Sequence, residues 1–309
     1  MATSSPLLRI GTRGSPMALV QAGLVRDRLA AAHPELAAPG ALETVIIRTT
    51  GDKVQDRRLA EIGGKGLFTK EIEEALLAGA IDLAVHSMKD VATRLPERLE
   101  IACLLPRDDP RDAFLCPSAA TLAALPQGAV IGTASLRRQA QLLRRRPDLR
   151  IVPLRGNAGT RLRKLAAGKC DATLLALAGL QRLGETAAIT EILSVEDMLP
   201  AVAQGAIGVE IRAADQRVRR LLEPLDHAET TVAITAERAF LAALDGSCKT
   251  PIAALAEVAG EEVRLRGLIV SPDGKKAHET ENYAPAADAA RLGRECGEAL
   301  RRAAGPGFF

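Results

Sequence analysis

Along the chain, short apolar runs of strand length alternate with longer stretches whose apolar positions recur at helical spacing. "LLRIG" meets the turn "TRGS" and then "PMALVQAGLVRDRLAAA", with Ser15 placed to cap a helix and Pro16 at its first position. "ETVIIRTTG" reads as a second strand, "TKEIEEALLAGA" as a helix with acids in its first turn, and "DLAVHSMKDV" as a third strand ending in polar residues. Such alternation predicts βα units and a parallel sheet. The Pro- and Asp-rich loop "LPRDDPRDAF", Leu105 to Phe114, marks the exit from a first domain. A second series follows: "AVIGTAS" into "LRRQAQLLRRR", "RIVPLRG" into "NAGTRLRKLAAG", then "ATLLALAGL" with its own helix. "IGTAS" echoes the earlier "IGTRGS", which points to two similar α/β lobes with helix N-termini facing a shared cleft.

An apolar strand returns in "LPAVAQGAIGVEIRAAD", and the pattern changes near Leu225. From there "TTVAITAERAFLAAL" predicts a helix, "EVRLRGLIVSPDGKKAHET" a hairpin closed by Pro272-Asp273-Gly274, and "DAARLGRECGEALRRAAG" a terminal helix. The expected division is a discontinuous first lobe of 1–105 with 206–224, a second lobe of 106–205, and a small α+β domain of 225–309. A chain of 309 residues fits two or three domains of ordinary size, about 100–200 residues each.

Composition narrows the function classes. Aromatics make up only 2% of the chain, so stacking of single-stranded bases has little to work with. The N-terminus lacks a basic stretch followed by a long apolar run, and no segment reaches the roughly 18 uninterrupted apolar residues of a membrane span. The expectation is a cytoplasmic protein without a membrane partner. Five cysteines without short pairwise spacing, and four separated histidines, signal neither a disulfide framework nor a metal site. Net charge is only +3, yet "SLRRQAQLLRRRPDLR", "LRGNAGTRLRK" and "IRAADQRVRRLL" are locally basic.

Ser15, Ser135 and the Gly156-Asn157 turn each lie where a strand hands over to a helix, leaving free N–H groups and a positive dipole end beside arginine. Arg13, Arg137, Arg138, Arg155 and Arg161 would converge on one cleft if the lobes pack as the pattern implies, and guanidinium suits bidentate binding of carboxylate or phosphate. Solvated helix-face arginines are the plain alternative for each one. "GGKGLFTKEIEE" carries Lys65 among glycines but lacks phosphate-loop spacing; a mobile lid and an ordinary tight turn both fit. "AVHSMKDV" sets His86, Ser87, Lys89 and Asp90 at the end of a strand, where ligands of open α/β sheets commonly sit. Asp90 beside cations could stabilise a positive intermediate or move protons, or make a structural cap, while His86 reads as a hydrogen-bonded packing residue. Cys248, on a Gly-Ser turn beside Lys249, is placed for thiolate chemistry or is an inert loop cysteine.

Nine ordered segments, "RIGTRGSPMAL", "GGKGLFTKE", "AVHSMKDV", "PRDDPRDAF", "IGTASLRRQ", "LRGNAGTRL", "ALAGLQRLG", "AVAQGAIGVE" and "LDGSCKTPIAA", together resemble the porphobilinogen deaminase (hydroxymethylbilane synthase) family over almost the whole chain. The resemblance implies two periplasmic-binding-protein-like α/β lobes facing a cleft, plus a small α+β C-terminal domain carrying the cofactor cysteine. It also implies a transferase that condenses four porphobilinogen molecules head to tail, releasing ammonia each time, and hydrolyses the product to hydroxymethylbilane for tetrapyrrole synthesis. Dipyrromethane would be the cofactor, held as a thioether on Cys248. A buried carboxylate, Asp90 by the "HSMKD" match, would stabilise the cationic azafulvene left by ammonia. Arg13, Ser15, Lys65, Ser87, Lys89, Ser135, Arg137, Arg138, Arg155, Arg161 and Arg182 would bind carboxylates of cofactor and substrate. Two positions depart from common family sequences: Glu61 stands where some members carry lysine, and "GSCKTP" replaces the frequent "GGCQVP".

Two other function classes compete with this reading. A solute receptor would explain lobes and arginines but needs a secretion signal and gives Cys248 no task. A nucleic-acid binder would use "LRRQAQLLRRRPDLR" alone, against a modest net charge. A monomer acting on porphobilinogen, with no nucleic-acid partner and no metal, is the expectation carried forward.

Overall fold

The computed structural model describes residues 6–53, 68–246 and 250–308. Lys65, Glu61 and Cys248 lie outside the described residues. In chain order the elements are β1 (Leu8–Arg13), α1 (Pro16–Ala32), β2 (Leu42–Ile47), α2 (Thr50–Lys53), α3 (Lys70–Leu77), β3 (Leu83–Ser87), β4 (Leu99–Leu104), β5 (Asp112–Leu115), β6 (Val130–Gly132) and α4 (Leu136–Arg145). They continue with β7 (Arg150–Val152), α5 (Ala158–Ala166), β8 (Ala172–Ala176), α6 (Leu177–Leu183), β9 (Glu191–Ile192), β10 (Ile207–Arg212) and α7 (Gln216–Leu222). The last are α8 (Ala228–Ala243), β11 (Ile252–Ala259), β12 (Glu262–Val270), β13 (Ala277–Pro285) and α9 (Ala289–Ala304).

Two five-stranded sheets share one topology. The first runs β2-β1-β3-β10-β4 and the second β7-β6-β8-β5-β9. In each, the strand before the capped helix, β1 or β6, lies parallel to both neighbours, and the fourth strand, β10 or β5, runs antiparallel. The "IGTRGS" and "IGTAS" echo thus falls on equivalent strand-to-helix junctions. The sheets are mixed rather than purely parallel, because β5 and β10, which follow the crossings between units near residues 107 and 205, run antiparallel to their neighbours. One of those strands, β5, begins at Asp112, inside the stretch read as a loop from its prolines and aspartates.

Both faces of each sheet are covered, as parallel βαβ connections require. Leu83 and Val85 of β3 join Leu8, Ile10, Val25 and Leu29 in one core, whereas Ala84 faces Ile72 and Leu76 of α3 on the other side. In the second sheet Phe114 packs with Ile131 and Leu142 while its neighbours Ala113 and Leu115 face Leu165 and Leu180. The alternation is the period-2 signature of a strand buried on two sides.

The chain divides into two compact units. One is built from the described residues of 1–107 and 206–231, the other from those of 108–205 and 232–308. The second unit also holds the three-stranded antiparallel sheet β11-β12-β13, whose β12–β13 hairpin closes at the expected Pro272-Asp273-Gly274 turn. With few aromatics available, close helix contact here comes from glycine. A Cβ on Gly293 of α9 would lie 2.2 Å from the Ala236 carbonyl oxygen of α8, and one on Gly297 would lie 2.7 Å from the Phe240 oxygen. Gly293→Ala should therefore destabilise the protein: overpacking against backbone costs about 1–3 kcal/mol, more than the ~0.5–1 kcal/mol returned by helix propensity. Urea unfolding with an unlowered midpoint would contradict this packing.

Candidate active site

Most of the described candidate residues sit at or just beyond the C-terminal end of a strand, the edge where open α/β sheets bind ligands, while Arg161 lies within α5 and Arg182 in the last turn of α6. In the first unit, β1 ends at Arg13, and Ser15 caps α1 by accepting the Ala18 N–H at 3.3 Å. The Arg13 guanidinium lies 4.2 Å from the centre of the Phe68 ring, a cation–π contact. β3 ends at Ser87, whose Oγ accepts from the buried Gln21 Nε2 at 2.7 Å. A single 3-10 turn, Met88–Asp90, then presents Lys89 half-buried and Asp90 exposed. The expectation of a buried carboxylate is corrected on this point: the strand stops three residues short of Asp90, so its side chain stands on the turn rather than inside the sheet.

The second unit repeats the arrangement with more charge. Ser135 caps α4 by accepting the Arg138 N–H at 3.4 Å, and Asn157 caps α5 through Thr160 N at 2.9 Å. Arg161 donates to the Gly156 carbonyl at 2.8 Å, and Lys164 to that of Arg155 at 3.0 Å. Arg182, at the end of α6, pairs with Asp108 at 2.7 Å and donates to Gly205 O at 2.6 Å. Burial lowers the pKa of Arg182, and Asp108 opposes that shift.

Arg137 and Arg138 are buried and share one partner, Asp112, with N···O distances of 2.7 and 2.8 Å. Gln204 donates to the same carboxylate at 3.0 Å, and the guanidiniums also reach the carbonyls of Leu199 and Leu174, each at 2.8 Å. Burial alone would raise the Asp112 carboxyl; the two guanidiniums outweigh it and hold it well below the usual carboxylate range. Two cations against one anion leave a surplus positive charge at the N-terminus of α4. Buried Nε of Arg137 and buried Nη1 of Arg155 have no hydrogen-bond partner among the described residues. Surplus positive charge, and guanidinium donors left unused, fit a ligand rich in carboxylates.

The first unit also buries an acid on its antiparallel fourth strand. Glu210 of β10, fully buried, meets His86 Nε2 at 2.9 Å, in keeping with a hydrogen-bonded packing histidine. Sequence reasoning named neither Asp112, Gln204 nor Glu210 as site residues. The available signal was weak: an aspartate directly before the apolar run "AFL", and a glutamate inside the otherwise apolar "AIGVEI".

The family description "Porphobilinogen deaminase, dipyromethane cofactor binding domain" matches residues 8–220, and "Porphobilinogen deaminase, C-terminal domain" matches 231–302. The chain belongs to the porphobilinogen deaminase family. It is 56% identical to the porphobilinogen deaminase of Nitrobacter hamburgensis over 98% of this chain and 95% of that one. It is 55% identical to the chloroplastic porphobilinogen deaminase of Oryza sativa subsp. japonica, over 98% of this chain and 86% of the relative. For the chloroplastic one of Pisum sativum the identity is 57%, over 98% and 83%. A solved structure of a methionine binding protein, MetQ, aligns over 72% of this chain and 91% of its own at 12% identity with a TM-score of 0.45. The chain is a transferase of the hydroxymethylbilane synthase type, with dipyrromethane as its cofactor. Among the described residues no helix is long and apolar enough to cross a membrane.

Because the Asp112 carboxyl is lowered in the fold, it contributes stability that is present above its unfolded pKa of about 3.9 and lost as pH falls through and below that value. Asp112→Asn should cost about 3–5 kcal/mol at pH 7 by leaving two buried guanidiniums uncompensated. In urea titrations the gap from the natural protein should narrow below about pH 4. A gap independent of pH would show that the carboxylate charge is not what holds the cluster.

Proposed function

We propose that the residues at these strand ends bind the carboxylates of dipyrromethane and of porphobilinogen, and that Asp90 carries the chemistry. The observation that carries the reading is the second unit's surplus positive charge with two buried, unused guanidinium donors, in a chain of this family. In the second unit we assign this role to Arg137, Arg138, Arg155, Arg161 and Arg182, with Ser135. In the first unit we assign it to Arg13, Ser15, Ser87 and Lys89, and Lys65 is assigned by resemblance alone. Each pyrrole carries acetate and propionate groups, so each addition brings two more carboxylates and a demand for guanidinium.

Dipyrromethane, attached through Cys248, supplies the free pyrrole α-carbon from which the product is extended. In each condensation the aminomethyl C–N bond of porphobilinogen breaks, ammonia leaves, and a cationic azafulvene remains; a C–C bond then forms and the α-carbon proton departs. Asp90, a carboxylate next to Lys89 on a rigid turn, stabilises the cation and accepts or returns the proton. Four such cycles and a hydrolysis release hydroxymethylbilane. The division into two lobes and a C-terminal cofactor-attachment domain, at 1–105 with 206–224, 106–205 and 225–309, follows the same reading.

We also read the enzyme as a cytoplasmic monomer without a nucleic-acid partner. In support, the arginines at the end of α4 are matched by acids: Arg144 with Glu279, Arg145 with Asp197 at 2.5 Å, and Arg146 with Asp148 at 2.7 Å. A basic stretch neutralised in this way offers phosphates little net attraction.

Intact mass should show the natural protein heavier than its sequence by two linked pyrrole units and Cys248→Ala without them; an unmodified natural protein from cells that make porphobilinogen would remove the attachment. Asp90→Ala should keep its fold and cofactor yet lose turnover by about three or more orders of magnitude, and substantial remaining activity would take Asp90 out of the central role.

A further inference from the structure

The two units each bury one acid on their antiparallel fourth strand, but they partner it differently. In the second unit Asp112 meets two guanidiniums; in the first, Glu210 meets a single imidazole, His86, and its Oε1 finds no partner among the described residues. His86 is 5% exposed and Glu210 0%. Glu210 sits where the pairing of β10 with β4 shifts register between Val209 and Glu210, a bulge that turns the local strand. His86 is in register with Gly208 of the same strand.

The pair lies immediately behind the turn that carries Asp90. His86 precedes Ser87 on β3, and Met88 begins the turn by donating its N–H to Ala206 O at 3.0 Å. The Met88 thioether lies over Gly208, where a Cβ would come within 2.1 Å of Sδ. On the same face α3 packs against β3 and β10, and its Glu73 feels both groups. Burial pushes the Glu73 carboxyl up.

We propose that His86, held by Glu210, is a positioning residue: the pair pins the end of β3 to β10 and thereby fixes the Met88–Asp90 turn that aims Asp90 at the substrate. The proposal rests on Asp90 as the reacting carboxylate. A buried polar pair is a costly way to join two strands, since burying polar groups costs free energy that apolar residues of similar volume do not. What a hydrogen bond of fixed length adds is geometry. A misplacement on the order of 1 Å at a reacting group can cost about 100-fold in rate.

The test removes the hydrogen bond between the two side chains, and the double variant removes both polar groups. In Glu210→Met, and in His86→Leu combined with Glu210→Met, the proteins should fold and carry the cofactor mass; kcat should fall about 30- to 100-fold with KM within about threefold. Glu210→Gln, which can still accept from the imidazole, should recover most of that loss. A folded, loaded Glu210→Met or double variant with kcat within about threefold of the natural enzyme, or a loss that falls wholly in KM, overturns the proposal. If the double variant does not fold, Glu210→Met decides alone. In the Asp90→Asn background, followed by single turnovers, Glu210→Met should add less than about a threefold further loss; a full repeat of its effect means that the pair does not act through Asp90. Asp90→Asn by itself reports separately on the Asp90 reading.

Discussion

Burial of the Asp112 carboxylate is the constraint on which the second unit turns. A lone charge in that position would cost several kcal/mol, so the fold must bring Arg137, Arg138 and Gln204 to it from α4 and from the loop before β10. Those contacts tie the first residue of β5 to the first turn of α4. They also reach Leu199 O and so hold the returning chain before it enters the first unit. The same arginines then have charge left over. The interaction that closes this part of the fold also leaves positive charge at the N-terminus of α4, where carboxylate binding is proposed.

Shared topology extends this economy to the first unit. Both sheets place a serine-capped helix after a strand flanked by parallel neighbours, and both close with an antiparallel strand holding a buried acid. The division of labour differs. The second unit concentrates positive charge at the start of α4, while the first follows its central strand with a turn that carries a carboxylate, with the buried His86–Glu210 pair behind it. A transferase that binds acidic pyrroles and must also stabilise a transient cation needs both kinds of field.

Much of the architecture was legible in the pattern. The Ser15 cap with Pro16, the Ser135 junction, the β12–β13 hairpin and the terminal helix all depend on local chemistry, namely a side chain capping its own helix or a turn that suits Pro-Asp-Gly. What escaped was non-local. β5 hides in a stretch whose composition says loop, because its strand character comes from pairing with β8 and β9 rather than from its own residues. β11, which pairs with β12, was likewise passed over between the cysteine turn and the hairpin. Asp90 was expected inside and stands outside, since a strand's exit residue cannot be told from its neighbour without the register.

By itself the sequence determined the fold class, the family and the residue types available for chemistry, because periodicity, caps and nine ordered motifs are all written along the chain. Only the tertiary structure decided which charges are spent and which remain. Arg137 and Arg138 look like any two arginines on a helix until Asp112, 25 and 26 residues away, is found between them. His86 and Glu210 are 124 residues apart, and nothing local in either segment calls for the other. Pairing of buried charges depends on distance in space, and the energy that enforces it appears only once water has been excluded from both partners.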